Sequence, residues 1–238
     1  MKFKPVLASL VVLSSVATLA LAQGLSALDV LSKLESVQKS LKDYKAKAVG
    51  TIADETQKIK LDLDVQAIPG LKLTRLTFNA PDTLADNVSI IDNDNFYNYL
   101  FLTNQVTITK INKAQVGGVS FGNIDSFGDL QSSIPKEKLD FKPVTVDDTP
   151  NGKAYVIDAT PKKGSNLEFG RVKIWALDKS FNLYRVQYFN DKGFMQADLT
   201  IPEFKSNVGL KAKDLCKLPS DVEKIVKDKL KKFSCDVK

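Results

Sequence analysis

The sequence predicts a mainly β (α+β) fold of antiparallel strands, with one helix in front and an amphipathic helix behind. Three observations lead there. Apolar residues recur every three or four positions only near the two ends of the exported chain. Between them the period falls to two, with turn signals roughly every ten residues. No helical pattern long enough for a βαβ crossover interrupts those strands, which disfavours a doubly wound sheet or a TIM barrel. A sandwich, a barrel or a curled sheet all satisfy this pattern.

The first segment is an address. Residues 1–22 carry Lys2 and Lys4, then an uncharged apolar run from Val6 to Leu21, then Ala20-Leu21-Ala22. That is the layout of a signal peptide cleaved after Ala22. The run is short for a membrane span and is broken by Ser9, Ser14 and Ser15. The mature chain is therefore expected to be exported and soluble.

A helix is expected from Ser26, whose hydroxyl would cap it with Asp29 three residues on. Leu28, Leu31, Leu34, Val37, Leu41 and Tyr44 form its apolar stripe. In the next strand Ile59, Leu61, Leu63 and Val65 alternate with Lys60, Asp62 and Asp64, giving one greasy and one wet face. Leu71–Asn79 follows after Pro69-Gly70, and its apolar phase slips between Leu73 and Leu76, which suggests a bulge. Further strands are expected at 88–91, 96–102, 106–111, 139–146, 154–160, 169–177, 183–189 and 194–201. Asn151-Gly152 is a hairpin signal. The strand at 96–102 is apolar on both faces, so something covers both sides or an apolar ligand lies against one. Residues 114–135 break the rhythm, with four glycines among scattered Val119, Phe121, Ile124 and Phe127. A loop that long in a compact domain is more often a lid or binding element than a plain connection.

From Lys205 to the end, ten lysines face five acids, so the net charge of +6 is largely a property of the tail. The body offers no basic footprint for nucleic acid. Ser220 to Glu223 reads as a capping box, and Val222, Ile225, Val226, Leu230 and Phe233 as the face of a C-terminal helix. Cys216 and Cys235 flank it. In an oxidising compartment they are expected to pair, closing a loop worth roughly 3 kcal/mol.

Chemistry is bounded by absences. The sequence holds no His and only two Cys. Ser-His-Asp catalysis and imidazole or four-cysteine zinc sites are excluded. The acid pairs Asp62/Asp64 and Asp92/Asp94 read as a wet strand face and a turn rather than a catalytic dyad. No metal, cofactor or enzymatic activity is expected. Asn87-Val88-Ser89 matches a glycosylation sequon.

Motif order adds a resemblance. Leu73–Pro81 (LTRLTFNAP) followed by Val88–Tyr99 (VSIIDNDNFYNY) is similar to an aromatic strand, a Pro turn and a second aromatic strand of the LolA/LolB-type lipoprotein carriers. Val172–Asn182 (VKIWALDKSFN), Tyr184–Gly193 (YRVQYFNDKG) and Leu199–Asn207 resemble that family's last three strands. The resemblance implies a LolA-like lipid-binding domain over 23–207; the basic helical extension over 208–238 is additional to that family's pattern. The domain would be an incomplete barrel of about eleven strands, closed by helices and enclosing an apolar cavity under a lid. The partners implied are lipid or lipoprotein acyl chains, envelope proteins that donate and accept them, and transient membrane contact, with the protein a monomer in the periplasm. Residues expected to line the cavity are Leu34 and Val37 from the helix and Phe121 and Phe127 from the loop. From the strands come Leu61, Leu63, Phe78, Ile90, Tyr97, Tyr99, Phe101, Ile157, Ile174, Tyr184, Val186, Met195 and Leu199. The rival reading is an envelope structural or sensor module, using the same fold for protein contacts.

Overall fold

The structure is a computed structural model that describes residues 24–53, 56–92, 95–110, 115–116, 119–120, 135–165, 167, 169–226 and 235. The leader 1–22 lies outside the described residues, as do Phe121 and Phe127. Among the described residues no helix is long and apolar enough to cross a membrane.

Helix α1 (Ala27–Ser40) begins where the sequence places it. Ser26 Oγ accepts the Asp29 amide at 3.2 Å, and the Asp29 carboxylate accepts the Ser26 amide at 3.0 Å. The buried face is Ala27, Val30, Leu31 and Leu34. Leu28, assigned inward from the sequence, is 49% exposed, and Tyr44 belongs to the first strand rather than to the helix.

Strands β1 (Tyr44–Ala53), β2 (Lys58–Ile68), β3 (Leu73–Ala80), β4 (Val88–Asp92), β5 (Asn95–Leu100) and β6 (Gln105–Lys110) form one antiparallel meander. A small hairpin, β7 (Gln115–Val116) and β8 (Val119–Ser120), follows in the segment read as a lid. A second meander contains β9 (Leu139–Phe141), β10 (Thr145–Thr149), β11 (Gly152–Pro161), β12 (Arg171–Leu177), β13 (Leu183–Phe189) and β14 (Met195–Ser206). The expected strand 139–146 is split into β9 and β10, because Pro143 between them has no N–H to give a ladder. The meanders join where β1 pairs with β14, giving one curled, unclosed 13-stranded sheet among the described residues.

The join needs a glycine. A Cβ on Gly50 would stand 1.9 Å from the Asp198 carbonyl oxygen of β14. The register also slips between Lys47 and Val49 there, which bends β1.

Two expectations change. Strand β3 keeps a continuous register with β4, so the phase slip at Leu73–Leu76 is not a bulge within that span. Leu76 and Phe78 face the main core, whereas Leu73 faces a second core on the opposite side. The expected C-terminal helix is absent from 220–226. Instead α2 (Ala212–Leu215) is a single turn, and β15 (Glu223–Val226) adds in parallel to the edge of β6. A short isolated helix is marginal, whereas an open strand edge offers ready-made backbone partners. The Glu223 amide donates to the Asn104 carbonyl at 3.0 Å, and the Gln105 side chain donates to the Glu223 carboxylate at 2.7 Å.

The disulfide between Cys216 and Cys235 is present, with Cα atoms 5.2 Å apart. It ties two parts of the tail to each other on the outer face of β3–β6. There Leu73, Val88, Ile90, Tyr97, Tyr99, Val106 and Ile108 are buried with Leu215 and Cys235. This answers why strand β5 is apolar on both faces. Arg75 donates to the Leu215 and Lys217 carbonyls at 3.1 and 2.7 Å, and burial lowers the pKa of its guanidinium. At the root of the tail the Asp43 carboxylate accepts the amides of Val208 (2.7 Å) and Gly209 (3.1 Å).

Candidate ligand cavity

Strand β1 reads Tyr44-Lys45-Ala46-Lys47-Ala48, so its inner face carries small side chains while lysines point outward. The C-terminal end of helix α1 lies over that face, where Val37, Gln38 and Leu41 meet Ala46 and Ala48 around a hollow. A cavity of about 50 Å³ results. Val37, Gln38 and Leu41 form its roof. The floor and walls are Tyr44, Ala46 and Ala48 of β1, Val65 of β2, Val186 of β13, and Leu199, Ile201 and Phe204 of β14. Phe181, Asn182 and Leu183, at the turn into β13, close one side. Tyr44 and Phe204 stack at 5.2 Å in the wall. Gln38 and Asn182 are the polar members, and no charged side chain is among the described residues that line it.

The helix above is lightly tied. Glu35 pairs with Lys136 at 2.8 Å, and the Lys33 ammonium lies 5.1 Å from the centre of the Phe181 ring. Its remaining hold among the described residues is apolar: Val30 and Leu34 are fully buried and Leu31 is 1% exposed. These side chains fill the inner face. The expected hollow large enough for hydrocarbon is thus largely occupied by the protein's own helix, and about 50 Å³ remains, room for a few water molecules.

The expected lining residues separate into groups. Leu34, Leu61, Leu63, Phe78, Ile157, Ile174, Val186 and Leu199 share the inner core. Of the whole set, Val37, Val186 and Leu199 touch the cavity itself. Ile90, Tyr97 and Tyr99 do not face inward; they lie on the outer face beneath the tail. Both faces of β4 and β5 are buried, so alternation could not tell inside from outside; their inward members are Ile91 and Phe96. Tyr184 packs outward with Ala154, Val156 and Trp175. The register slips there, Trp175 pairing with Arg185 and Ala176 with Leu183, so Tyr184 is the extra residue of a bulge. Phe101 is 53% exposed in the turn after β5, and Met195 is half-buried at the start of β14. The sequence reading missed Tyr44, Ala46, Ala48, Phe181, Ile201 and Phe204. The alternation of Lys and Ala in β1 was the signal that could have found the middle of this site.

Other charged groups serve the scaffold. On the outer face Asp62 pairs with Lys47 at 3.1 Å, and the Asn79 amide donates to Asp62 and Asp64 at 3.1 and 3.3 Å. Asp92 is fully buried and accepts the Cys235 amide at 3.2 Å; Asp94 lies outside the described residues. Burial, then the nearby Asp92, raises the Tyr97 phenol pKa. The Arg171 guanidinium, with Lys142 beside it, draws Asp158 down to about 2. Burial pushes the Tyr188 phenol up to about 12, where its ring meets Phe169 edge-on. The sequon residue Asn87 is buried and accepts the Phe101 amide at 2.9 Å, which leaves no room for a glycan. A second hollow, about 280 Å³, lies open among Lys45, Lys47, Lys205, Asp64 and Glu203 on the outer face. Its mixed charges satisfy one another or water.

Comparison with known proteins adds the following. An uncharacterized conserved protein from Thermus thermophilus aligns at 22% identity and a TM-score of 0.59, over 84% of this chain and 99% of that one. Lipoprotein LppX of Mycobacterium tuberculosis aligns at 13% identity and 0.50, over 79% and 100%. A LolA superfamily protein from Nitrosomonas europaea aligns at 12% and 0.41, over 82% and 99%, a score too low to carry weight. At such identities the first two establish a shared fold and nothing about shared activity. That shared fold is the curled, unclosed antiparallel sheet described above, the class of fold that motif order implied. A search of curated proteins returns no match. A family model described as that of an uncharacterized protein matches residues 72–213, more than half of the sequence, and the chain belongs to that family.

Proposed function

We propose that the protein is a non-enzymatic binder and carrier of acyl chains in the cell envelope, with α1 as the cover of the site. One observation carries this reading. Twelve of the fourteen residues lining the cavity are apolar, and the roof is the end of a helix held, among the described residues, by an ion pair, a ring contact and its own aliphatic side chains.

Loading would exchange one hydrocarbon for another. Lifting α1 exposes Val30, Leu31 and Leu34, at about 1.5–3 kcal/mol each. A bound chain returns about 0.8 kcal/mol per buried methylene, so roughly ten methylenes offset the three side chains. No catalytic group is required. Export after cleavage at Ala22, monomeric transport of lipoproteins between envelope donors and acceptors, and brief membrane contact complete the proposal.

The filled inner face favours a second reading, in which the fold serves protein contacts and never opens to lipid. Mass spectrometry of gently purified protein, paired with titration of an apolar fluorescent probe, separates the two. Co-purified acyl chains, or probe binding lost in Ala46→Leu with its fold intact by circular dichroism, support the carrier. A lipid-free protein that ignores the probe overturns it in favour of the contact module.

A further inference from the structure

Resting on the acyl-chain reading, we infer that the ligand is a single-chain amphiphile with an anionic headgroup, a carboxylate or a phosphate. Its chain occupies the cavity and its headgroup stays outside, among lysines at the mouth.

The argument starts from what lines the cavity. No charged side chain is among the described lining residues, so whatever enters is uncharged, since an unpaired charge buried there would cost several kcal/mol. The residues bordering the lining are different. Lys33 stands 5.1 Å from the ring of Phe181, a lining residue. Lys39 follows Gln38, Lys42 follows Leu41, and Lys179 stands two positions before Phe181; all four lysines are exposed. The acids in the same segments do not balance them. Glu35 is tied to Lys136. Asp43 is buried, and its carboxylate is engaged by the Val208 and Gly209 amides. Asp178 is the remaining acid of the turn. In the segments 33–43 and 178–183, which supply the roof and one side, exposed lysines therefore outnumber the acids not already engaged. A low-dielectric hollow rimmed by one sign of charge concentrates ligands of the other sign. The scale also favours one chain over several: the hollow is only about 50 Å³, so even a single chain must displace part of α1.

The test uses the mature protein and a fluorescent fatty acid as reporter. Dodecanoate, dodecyl phosphate, dodecanol and dodecyltrimethylammonium compete for it below their micelle concentrations. The expected result is that the two anions displace the reporter roughly tenfold more effectively than the alcohol, as two or three exposed ion pairs would allow. The cation should be weakest. The advantage should narrow in high salt, and in a variant carrying Lys33→Gln, Lys39→Gln, Lys42→Gln and Lys179→Gln whose circular dichroism matches the parent. A stronger effect of one anion identifies the headgroup. Equal displacement by all four compounds, or an advantage that survives both salt and the variant, overturns the anionic headgroup and leaves acyl binding standing. If the reporter does not bind at all, acyl binding fails and this inference goes with it.

Discussion

The two faces of this sheet are covered in different ways. On the outer face of β3–β6 the cover is the tail. It is closed on itself by a disulfide, and it is held to the sheet by two hydrogen bonds from Arg75, by a buried Asp92–Cys235 contact and by a parallel strand at the β6 edge. On the inner face the cover is α1, held among the described residues by three deeply buried aliphatic side chains, a partly exposed ion pair and a lysine over a ring. Directional hydrogen bonds, with their loop fixed by the crosslink, must be matched by any replacement, whereas apolar contacts can be exchanged for those of another apolar molecule. On the proposed reading, the tail is a fixed part of the scaffold and α1 is the part that an acyl chain replaces.

The strongest way to break this comparison is to cut the staple. Replacing Cys216 and Cys235 together by Ser is expected to cost about 3 kcal/mol in denaturant unfolding, by releasing the closed loop. It should also speed hydrogen exchange across β6 and β15 while leaving α1 unchanged. If α1 loosens as much as the tail, the two covers are not independent. Next comes Arg75→Met. Removing a charged donor orphans the Leu215 and Lys217 carbonyls, and a loss of about 2 kcal/mol is expected by the same measurement. A loss below a few tenths would mean that the tail is held by packing alone.

The third effect concerns the scaffold that both covers share. Asp158 has a folded pKa of about 2, below its ordinary 3.8. Its stabilising contribution is therefore complete above about pH 4 and is lost as pH falls from about 4 to about 2. With Lys142 and part of Arg171 open to solvent, about 1–2 kcal/mol is expected. Asp158→Asn should flatten unfolding curves across that window; an unchanged acid limb would assign the loss to other carboxylates. The smallest effect sharpens the comparison most. Glu35→Gln removes the ion pair that ties α1 to Lys136 and should cost under about 1 kcal/mol. It should nonetheless speed exchange of the α1 amides and raise the rate at which an apolar probe enters. Slower entry would argue that the helix is not the cover.

Much of the fold was legible because its signals are local. The Ser26–Asp29 capping box, the alternation of Leu61, Leu63 and Val65, and the Asn151-Gly152 turn each depend on a few neighbouring residues. The site was less legible. Leu61 and Leu63 alternate with charges and were placed inward correctly. Tyr97 and Tyr99 sit in a strand that is greasy on both sides, and their direction depends on a tail more than a hundred residues away. Tyr184 was misplaced by a bulge visible only in the pairing of Trp175 with Arg185 and Ala176 with Leu183. The tail was read as a helix from its periodicity, but over Glu223–Val226 the free edge of β6 claimed it as a strand.

By itself the sequence determined the antiparallel sheet, the opening helix, the pairing of the only two cysteines and the absence of histidine chemistry. Those follow from periodicity, composition and short-range hydrogen bonding, which act along the chain. Only the tertiary structure decided which faces of β4, β5 and β13 are inside, and how little space α1 leaves above Ala46 and Ala48. Burial is a property of what lies across from a side chain, and in a sheet with covers on both faces that partner comes from the far end of the sequence.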